Sequence, residues 1–389
     1  MDKWPEVEFG TLYEISSRNG LSKPSRVRGS GYKMINMGEL FSNDRLYDIG
    51  MELVPLTALE KVNAKVEVGD LLFARQSLVA AGAGKCSIVL ETSELTVFES
   101  HIIRVRLKRT EADPLFYYYY FKSPCSTMRT IIEHCVQAGI KATDLAKLKV
   151  PVPPLGIQRN IRKILSVIDD KIEENNRINK NLSNLLQAIY QKRFGEVSLG
   201  AKQGILSDIC SYSKEKVAVS ELNVNTYFST ENMLPEKAGS TKATSLPTTL
   251  QTTACRKGDT LISNIRPYFK KIVYCEDMCG CSTDVLCFTP IQSQYAAYLF
   301  STLYTDKFFA FMVAGSKGTK MPRGDKQQIM TYPVVVPAES ELEEFNAIAF
   351  PVLEQLNSNK AENKRLSALR DALLPKLMSG EIDISAIDL

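Results

Sequence analysis

The chain is 389 residues long, with 44% apolar and 24% charged residues and a formal net charge of +4. This length exceeds what one hydrophobic core usually fills, and the composition excludes large-scale disorder, so we expect two or more globular domains. The sequence shows neither a secretory signal nor an apolar run long enough to span a bilayer. We therefore expect a cytoplasmic protein with no membrane partner, whose nine cysteines are reduced thiols.

In chain order, the first elements predicted are short strands bounded by Gly, Asp and Asn turns. They are Lys33–Met37, Leu71–Ala74, Ser87–Leu90 and His101–Leu107. The aromatic run Phe116–Phe121 favours a buried helix, as do Tyr295, Tyr298 and Phe300 in the second half. Each half of the chain is therefore predicted to begin with a mixed domain of strands and helices.

A long helix follows, because apolar residues between Gln158 and Arg193 recur at spacings of three and four. They are Ile161, Ile164, Ile168, Ile178, Leu182, Leu185 and Ile189. A second helix repeats the frame with Phe345, Ile348, Val352, Leu366, Leu369 and Leu373. Helices of about 55 Å do not fit inside one small domain, so we expect them to pack on each other as an antiparallel coiled coil.

Details of the two helices are also predicted. Asn175 and Asn359 fall at seam positions, where a buried amide fixes helix register by pairing with its counterpart. Ser340–Glu343 predicts a capping box at the start of the second helix. The interior Pro351 predicts a kink or a short break, because proline removes a backbone hydrogen bond.

The chain also matches itself, since a shift of 184 residues carries Pro153 onto Pro337 and Asn175 onto Asn359 without a gap. Upstream, the match continues with loops of different length. It pairs Val68–Phe73 with Lys257–Ile262, Gly139–Lys141 with Gly318–Lys320, and Gly10–Ile15 with Gly204–Ile209. Two repeats are too few for a solenoid, so duplication with pseudo-two-fold symmetry is the interpretation.

Signatures of catalysis or metal binding are weak. Ala81–Cys86 lacks the first glycine and the Ser or Thr of a phosphate-binding loop. Asp113–Phe116 is interpreted as a turn before an aromatic helix. Cys275, Cys279, Cys281 and Cys287 lack paired Cys-x-x-Cys spacing, so buried free thiols are favoured over a zinc site. We predict no catalytic and no metal-binding residues.

Polar and basic loops at matching positions in both repeats are the candidate DNA-binding sites. Arg, Gln and Asn form bidentate bonds with base edges, and Lys suits phosphates. The basic excess over residues 1–337 is compatible with a polyanion but does not require one. The predicted contact residues are Arg75, Gln76, Ser77, Lys85, Lys141, Ser263, Asn264, Arg266, Tyr268, Lys270, Lys271, Lys317, Lys320 and Arg323.

Several stretches together resemble the DNA specificity subunits of type I restriction-modification enzymes. The most specific is Val150–Ile161, which runs into Leu165–Ile172 and Asn179–Leu182 and is similar to the proline-then-helix region of that family. Gly69–Phe73, Gly258–Ser263 and Cys281–Asp284 are similar to segments of its target recognition domains. The second helix departs from the family pattern at Pro351 and lacks the Pro-Pro pair that precedes the first helix.

The resemblance implies an α+β fold, with two mixed α/β target recognition domains separated by two long antiparallel coiled-coil helices in a pseudo-two-fold internal repeat. The expected segments are recognition domain 1 (1–152), spacer helix 1 (153–196), recognition domain 2 (197–337), spacer helix 2 (338–380) and an acidic C-terminal tail (381–389).

The resemblance also implies the function. The chain would read a bipartite double-stranded DNA site without catalysing a reaction. Two methyltransferase subunits would bring S-adenosylmethionine, and motor-nuclease subunits would bring ATP and magnesium. The alternative is a coiled-coil scaffold that joins partner proteins without reading bases.

Overall fold

The computed structural model describes residues 4–77, 82–134, 138–195 and 202–384. The predicted boundary at 196/197 and residues 385–389 of the predicted tail lie outside the described residues. The chain divides into two compact units: unit 1 contains residues 1–172 and 364–389, and unit 2 contains residues 173–363. Each unit combines the globular part of one repeat with a section of each long helix. The predicted domain boundaries stay predictions.

The globular part of unit 1 is a mixed α/β domain. In chain order its strands are β1 (Glu6–Glu8), β2 (Tyr13–Asn19), β3 (Tyr32–Ile35), β4 (Arg45–Leu46), β5 (Glu52–Val54), β6 (Leu71–Ala74), β7 (Gln76–Ser77), β8 (Cys86–Val89), β9 (Thr96–Phe98), β10 (Ile102–Leu107), β11 (Glu133–His134), β12 (Ala138–Gly139) and β13 (Lys149–Pro151). Its shorter helices are α1 (Met37–Ser42), α2 (Ala58–Asn63), α3 (Pro114–Lys122) and α4 (Ala142–Lys147).

These strands form a five-stranded sheet with the order β2-β10-β6-β8-β4, and three smaller sheets with the orders β1-β13, β5-β3-β9 and β11-β12-β7. The predicted strands are confirmed with one change. Met37 starts helix α1 instead of ending a strand, because the Asn36 backbone N–H donates to the Glu39 carboxylate and caps the helix there.

The core of unit 1 contains the aromatic helix α3. Asp113 caps α3 by accepting a hydrogen bond from the Phe116 backbone N–H, and Pro114 occupies the first turn, where its missing N–H costs nothing. Tyr117 and its neighbours are buried in one cluster with Phe9 and Phe73. The predicted turn and buried aromatic helix are therefore confirmed.

Unit 2 repeats this plan with different loops. Its strands are β14 (Gln203–Ile205), β15 (Cys210–Tyr212), β16 (Lys216–Ala218), β17 (Tyr227–Phe228), β18 (Gln251–Cys255), β19 (Thr260–Ser263), β20 (Ile272–Tyr274), β21 (Cys279–Cys281), β22 (Val285–Pro290) and β23 (Pro333–Val335). They form sheets with the orders β14-β23, β15-β22-β19-β20 and β16-β18-β21-β17. The shorter helices are α6 (Ala296–Leu303), α7 (Asp306–Ala314) and α8 (Lys326–Met330).

Two apolar clusters of unit 2 contain residues whose burial was predicted from the sequence. Tyr298 of α6 is buried with Phe288 and Phe308, which confirms the predicted second aromatic helix. Cysteines line a separate cluster as buried free thiols, and no three His, Cys, Asp or Glu side chains in the described ranges are arranged to hold a metal ion. Its members Cys275, Cys279, Cys281 and Cys287 are all buried.

Two helices of 40 residues each, α5 (Leu155–Phe194) and α9 (Glu339–Met378), contribute to both units. In unit 1, Arg370 Nη1 contacts Asp169 Oδ1 at 2.8 Å. In unit 2, Arg193 Nη1 contacts Glu344 Oε2 at 3.0 Å. Later residues of α5 contact earlier residues of α9, so the predicted antiparallel packing is confirmed within each unit. Neither these helices nor any other described helix is long and apolar enough to cross a membrane.

Three predictions for the helices need correction. The predicted break at Pro351 is absent: α9 is continuous, because the buried neighbours Ala349 and Leu353 hold that turn by packing. Helix α9 also begins at Glu339, one residue before Ser340, and the Ala338 backbone N–H donates to Glu341 Oε2 at 2.9 Å. Leu185, predicted in the seam, is half exposed.

The equivalent residue Leu369 is also half exposed, and Ile348 is more than one third exposed. Leu186 and Tyr190 are buried instead, and Tyr190 packs on Tyr298 of α6 with ring centroids 5.6 Å apart. The buried face of the helix thus contacts the globular core of the unit as well as the other long helix. The coiled-coil spacing used for the prediction accounts only for contacts between the two helices.

The buried amides form pairs one turn away from the predicted ones. Asn175 Nδ2 donates to Asn363 Oδ1 at 2.9 Å, and Asn359 Nδ2 donates to Asn179 Oδ1 at 2.8 Å. The internal repeat relates one pair to the other, since Asn175 is equivalent to Asn359 and Asn179 to Asn363. The predicted pairing of each amide with its own counterpart is wrong, and the role of the amides in helix register stays a prediction.

Candidate nucleic-acid interface

The predicted contact residues of the first repeat meet at the end of strand β6. Strand β7 pairs with β12, so that Gln76 lies opposite Gly139 and Ser77 opposite Ala138. The Ile140 backbone N–H donates to the Arg75 carbonyl at 2.9 Å. A Cβ on Gly139 would lie 3.1 Å from that carbonyl oxygen, so the close approach favours glycine there. We call Arg75, Gln76, Ser77 and Lys141 surface 1.

The side chains of surface 1 are accessible to different degrees. Arg75, Gln76 and Ser77 are half-buried, and Lys141 is exposed, with its Nζ 2.5 Å from Glu133 Oε1. Lys85 is held by its own chain, because its Nζ donates to the Phe41 carbonyl at 2.6 Å and lies 3.1 Å from Asp44 Oδ1. Lys85 would have to leave both partners to reach a phosphate.

The second repeat builds a corresponding surface at the end of strand β19. The Gly324 backbone N–H donates to the Asn264 carbonyl, and the Arg266 backbone N–H donates to the Pro322 carbonyl at 2.8 Å. Ile265 forms a β-bridge with Arg323, which in turn pairs with Lys317. The structure therefore joins the two predicted basic elements of this half into surface 2, comprising Ser263–Lys271 and Lys317–Arg323.

This geometry corrects the sequence match of the loops. Ile140 and Gly324 make the same backbone bond after β6 and β19, so Lys141 corresponds to Asp325 and not to Lys320. The match of Gly10 with Gly204 is also wrong. Phe9 and Leu206 are equivalent, because their N–H groups donate to the carbonyls of Leu148 and Tyr332, which the 184-residue shift relates. Because the loops of the two repeats differ in length, the sequence match had paired the wrong residues in both segments.

Two residues of surface 2 that the sequence predicted as DNA contacts are buried. Ser263 donates its hydroxyl to the Ile265 carbonyl at 3.2 Å. Asn264 is 7% exposed, and its Oδ1 has no hydrogen-bond partner among the described residues. In this conformation neither side chain can reach a base edge, and both lie on the buried side of the loop.

One exposed part of surface 2 is a short turn with two aromatic rings. Arg266 and Lys270 have φ values of 49° and 52°, and they flank the 3₁₀ turn Pro267–Phe269. Tyr268 is 47% exposed, and its ring centroid lies 4.8 Å from that of Phe269. Positive φ is unfavourable for side chains with a Cβ and concentrates at functional sites. Phe269 was missed from the sequence, although its place beside Tyr268 and two lysines was a usable signal.

Four cations of surface 2, namely Lys270, Lys271, Lys317 and Arg323, have partners in their own unit. Lys270 Nζ lies 3.0 Å from Asp306 Oδ1, and this contact raises the pKa of Lys270. Lys271 Nζ donates to the Thr230 carbonyl at 2.5 Å. Further ion pairs join Lys317 to Asp325 (2.6 Å) and Arg323 to Asp284 (2.9 Å). Lys320 is exposed and has no such partner in the described part of the chain. Carboxylates thus pair with Lys270, Lys317 and Arg323 in this structure.

Comparison with known proteins gives matches in sequence and in fold. Residues 1–184 match the family model described as the type I restriction modification DNA specificity domain. The putative type I restriction enzyme MjaX specificity subunit of Methanocaldococcus jannaschii is 24% identical over 205 residues, which cover 49% of this chain and 46% of that protein. The type I restriction enzyme EcoKI specificity subunit of Escherichia coli K12 is 26% identical over 197 residues, covering 46% and 40%. The matches thus span less than half the length of these relatives.

A solved structure shares the fold. It is the S subunit of a type I restriction-modification system from M. genitalium, which matches with a TM-score of 0.59 and 17% identity over 96% of each chain. The predicted fold class is therefore confirmed. At this level of identity, the match establishes the architecture alone.

Proposed function

We infer that this chain, whose residues 1–184 match the family model of the type I restriction modification DNA specificity domain, reads a bipartite double-stranded DNA site, one half with each repeat. One observation carries the proposal. Surfaces 1 and 2 lie at the ends of equivalent strands and are closed by the same backbone hydrogen bond, Ile140 to Arg75 and Gly324 to Asn264. Their exposed side chains nevertheless differ, as two readers of different bases require.

The chemistry of these surfaces suits base readout. Arg75 and Arg266 can form bidentate bonds with guanine, and Gln76 with adenine. Lys141, Lys317 and Lys320 suit phosphate contacts, which position the protein without specifying sequence. The exposed Tyr268 ring suits stacking on a base or a wedge between base pairs.

We also propose that two methyltransferase subunits dock on the long helices. Leu185 and Leu369 are equivalent in the repeat, and they are 51% and 49% exposed. Large apolar side chains exposed at equivalent places suit two copies of one partner. In this proposal the partners bring S-adenosylmethionine, and motor-nuclease subunits bring ATP and magnesium, while this chain takes no part in catalysis.

Methylation mapping tests the proposed readout. The chain is expressed with its neighbouring methyltransferase in a host without methyltransferases of its own, and methylated bases are located by sequencing. We expect one motif with two specified parts and a gap of fixed length. A complex that assembles but methylates without sequence preference would contradict base readout and support the scaffold alternative.

Variants of the two repeats sharpen the test. Arg75→Ala with Gln76→Ala should relax one half of the motif, and Arg266→Ala with Tyr268→Ala should relax the other half. Arg129→Ala, at an exposed position that belongs to neither surface, is the control and should leave the motif unchanged.

A further inference from the structure

Two arginines of unit 1 face each other across neighbouring strands. Arg18 of β2 and Arg104 of β10 are directly opposite in the antiparallel ladder. Like charges at such positions destabilise a sheet. The arrangement therefore needs a compensating charge.

The nearby carboxylates do not pair directly with either arginine. The two arginines line a cavity of about 270 Å³ together with Lys65, Glu67 and Arg106. Asp70 Oδ1 lies 2.7 Å from Arg106 Nε, and Glu67 lies within 3.4 Å of both Arg106 and Lys65. Neither Arg18 nor Arg104 forms an ion pair within the described ranges. Cations thus outnumber carboxylates among the residues that line this cavity.

Arg104 is the more strained of the two. Its side chain is only 4% exposed, its guanidinium lies over the Phe98 ring, and its Nε has no hydrogen-bond partner in the described chain. Burial lowers the pKa of Arg104; the negative charge of Asp70 opposes this shift, and the positive charges of Arg106 and Arg18 add to it. A buried charge with an unused hydrogen-bond donor destabilises the folded state unless an opposite charge pairs with it.

A purely structural explanation accounts for part of this arrangement. Arg18 Nη1 donates to the Asn63 carbonyl at 3.1 Å, and Arg104 Nη1 donates to the Lys65 carbonyl at 2.8 Å, both near the C-terminal end of α2. Cations do stabilise helix C-termini. These carbonyls, however, neither satisfy Arg104 Nε nor offset two full charges.

We propose that Arg18 and Arg104 bind one phosphate group in this cavity. A tetrahedral oxyanion would supply the carboxylate-like partner that neither arginine has in direct contact, and guanidinium groups bind phosphate through paired N–H donors. The volume suffices, since one water takes about 30 Å³ in the liquid. Arg104 lies opposite Leu72 of β6, four residues before Gln76, so the site is separate from surface 1.

The phosphate can come from two sources, free phosphate or a nucleic-acid backbone. The first experiment needs no DNA and does not depend on the proposed function. The thermal unfolding of the full chain is measured with increasing inorganic phosphate against chloride at constant ionic strength. We expect the Tm of the wild-type chain to rise and then saturate, as ligand binding to the folded state requires.

The variants are Arg18→Met and Arg104→Met, with Arg129→Met as an exposed control. Both cavity variants should lose the saturating shift, and the control should keep it. Phosphate also stabilises proteins by exclusion from their surface. An equal rise in all four proteins, or no rise in the wild type, would overturn the proposal. If Arg104→Met does not fold, the exposed position of Arg18 still allows the comparison.

A second experiment identifies the source. Non-specific DNA binding by the wild type and Arg18→Met is measured as a function of salt. Loss of one phosphate contact lowers the slope of log K against log salt by about 1. A lower slope in Arg18→Met supports a backbone phosphate in the cavity, and an unchanged slope together with the Tm shift supports free phosphate.

Discussion

The two repeats share a Gly-Asp turn before their central strand, but they stabilise its buried aspartate differently. In both, the aspartate accepts a hydrogen bond from the backbone N–H three residues earlier, Glu67 to Asp70 at 2.7 Å and Arg256 to Asp259 at 2.8 Å. Asp70 also accepts two bonds from Arg106. Asp259 instead accepts a bond from the Cys287 thiol at 3.2 Å. The backbone bond fixes the turn, while the partner of the buried charge can change.

The loops of surfaces 1 and 2 also keep equivalent backbone hydrogen bonds while their side chains differ. Their backbone bonds are equivalent, but Lys141 of surface 1 corresponds to Asp325 in the second repeat. The half-buried strand β7 corresponds to a strained turn that exposes two aromatic rings. A duplicated scaffold can therefore keep its hydrogen-bonded frame while its exposed side chains diverge.

The largest expected effect comes from removing the charge at each turn. Asp70→Asn should lower the free energy of unfolding by about 3 kcal/mol, because it breaks a buried ion pair and leaves Arg106 with Glu67 alone. Asp259→Asn should cost less than about 1 kcal/mol, because the amide oxygen can still accept the Arg256 bond and burial already raises the pKa of Asp259. Chemical denaturation of both variants measures the difference. Equal losses would show that the turn alone, and not its charge partner, sets the cost.

A smaller effect is expected on DNA binding by the assembled complex. Tyr268→Ala should weaken binding to the specific site by about tenfold, because base stacking contributes about 1–3 kcal/mol. Tyr268→Phe is the matched control and should bind nearly as well, since it keeps the ring. Fluorescence anisotropy with labelled site DNA measures both. Equal weakening by the two variants would assign the effect to the hydroxyl and exclude stacking.

The smallest expected effect is a pH dependence confined to unit 2. Glu276 corresponds to Leu90 of the first repeat, since Gly69 donates to the Val89 carbonyl and Gly258 to the Cys275 carbonyl. Burial raises the pKa of Glu276 to about 7. The folded state therefore keeps a proton that the unfolded chain releases above its ordinary pKa of 4.5, and stability falls as pH rises towards 7.

Glu276→Gln should remove this decrease in stability with rising pH, and above pH 7 the variant should be more stable than the wild type. Glu91→Gln, at an exposed position in the first repeat, serves as control and should leave the profile unchanged. Thermal unfolding at several pH values measures it. A Glu276→Gln profile parallel to that of the wild type would place the titration elsewhere.

Much of the fold could be predicted from local patterns. Leu71–Ala74, the aromatic helix α3 and both long helices follow from residue spacing, because strands and helices bury one face at a fixed period. The candidate site was predicted less completely. Arg75 and Tyr268 lie on the surfaces where expected, whereas Asn264 is buried and Phe269 was missed.

The sequence by itself determined the duplication, the order of elements, the antiparallel helices and the resemblance to a DNA specificity family. Tertiary structure alone decided which residues are equivalent in the loops, where insertions shift the sequence match but leave backbone hydrogen bonds such as Gly324 to Asn264 in place. It also decided which face of each helix is exposed and which arginines meet at one cavity. These features depend on contacts between residues far apart in the chain, and a local pattern carries no information about such contacts.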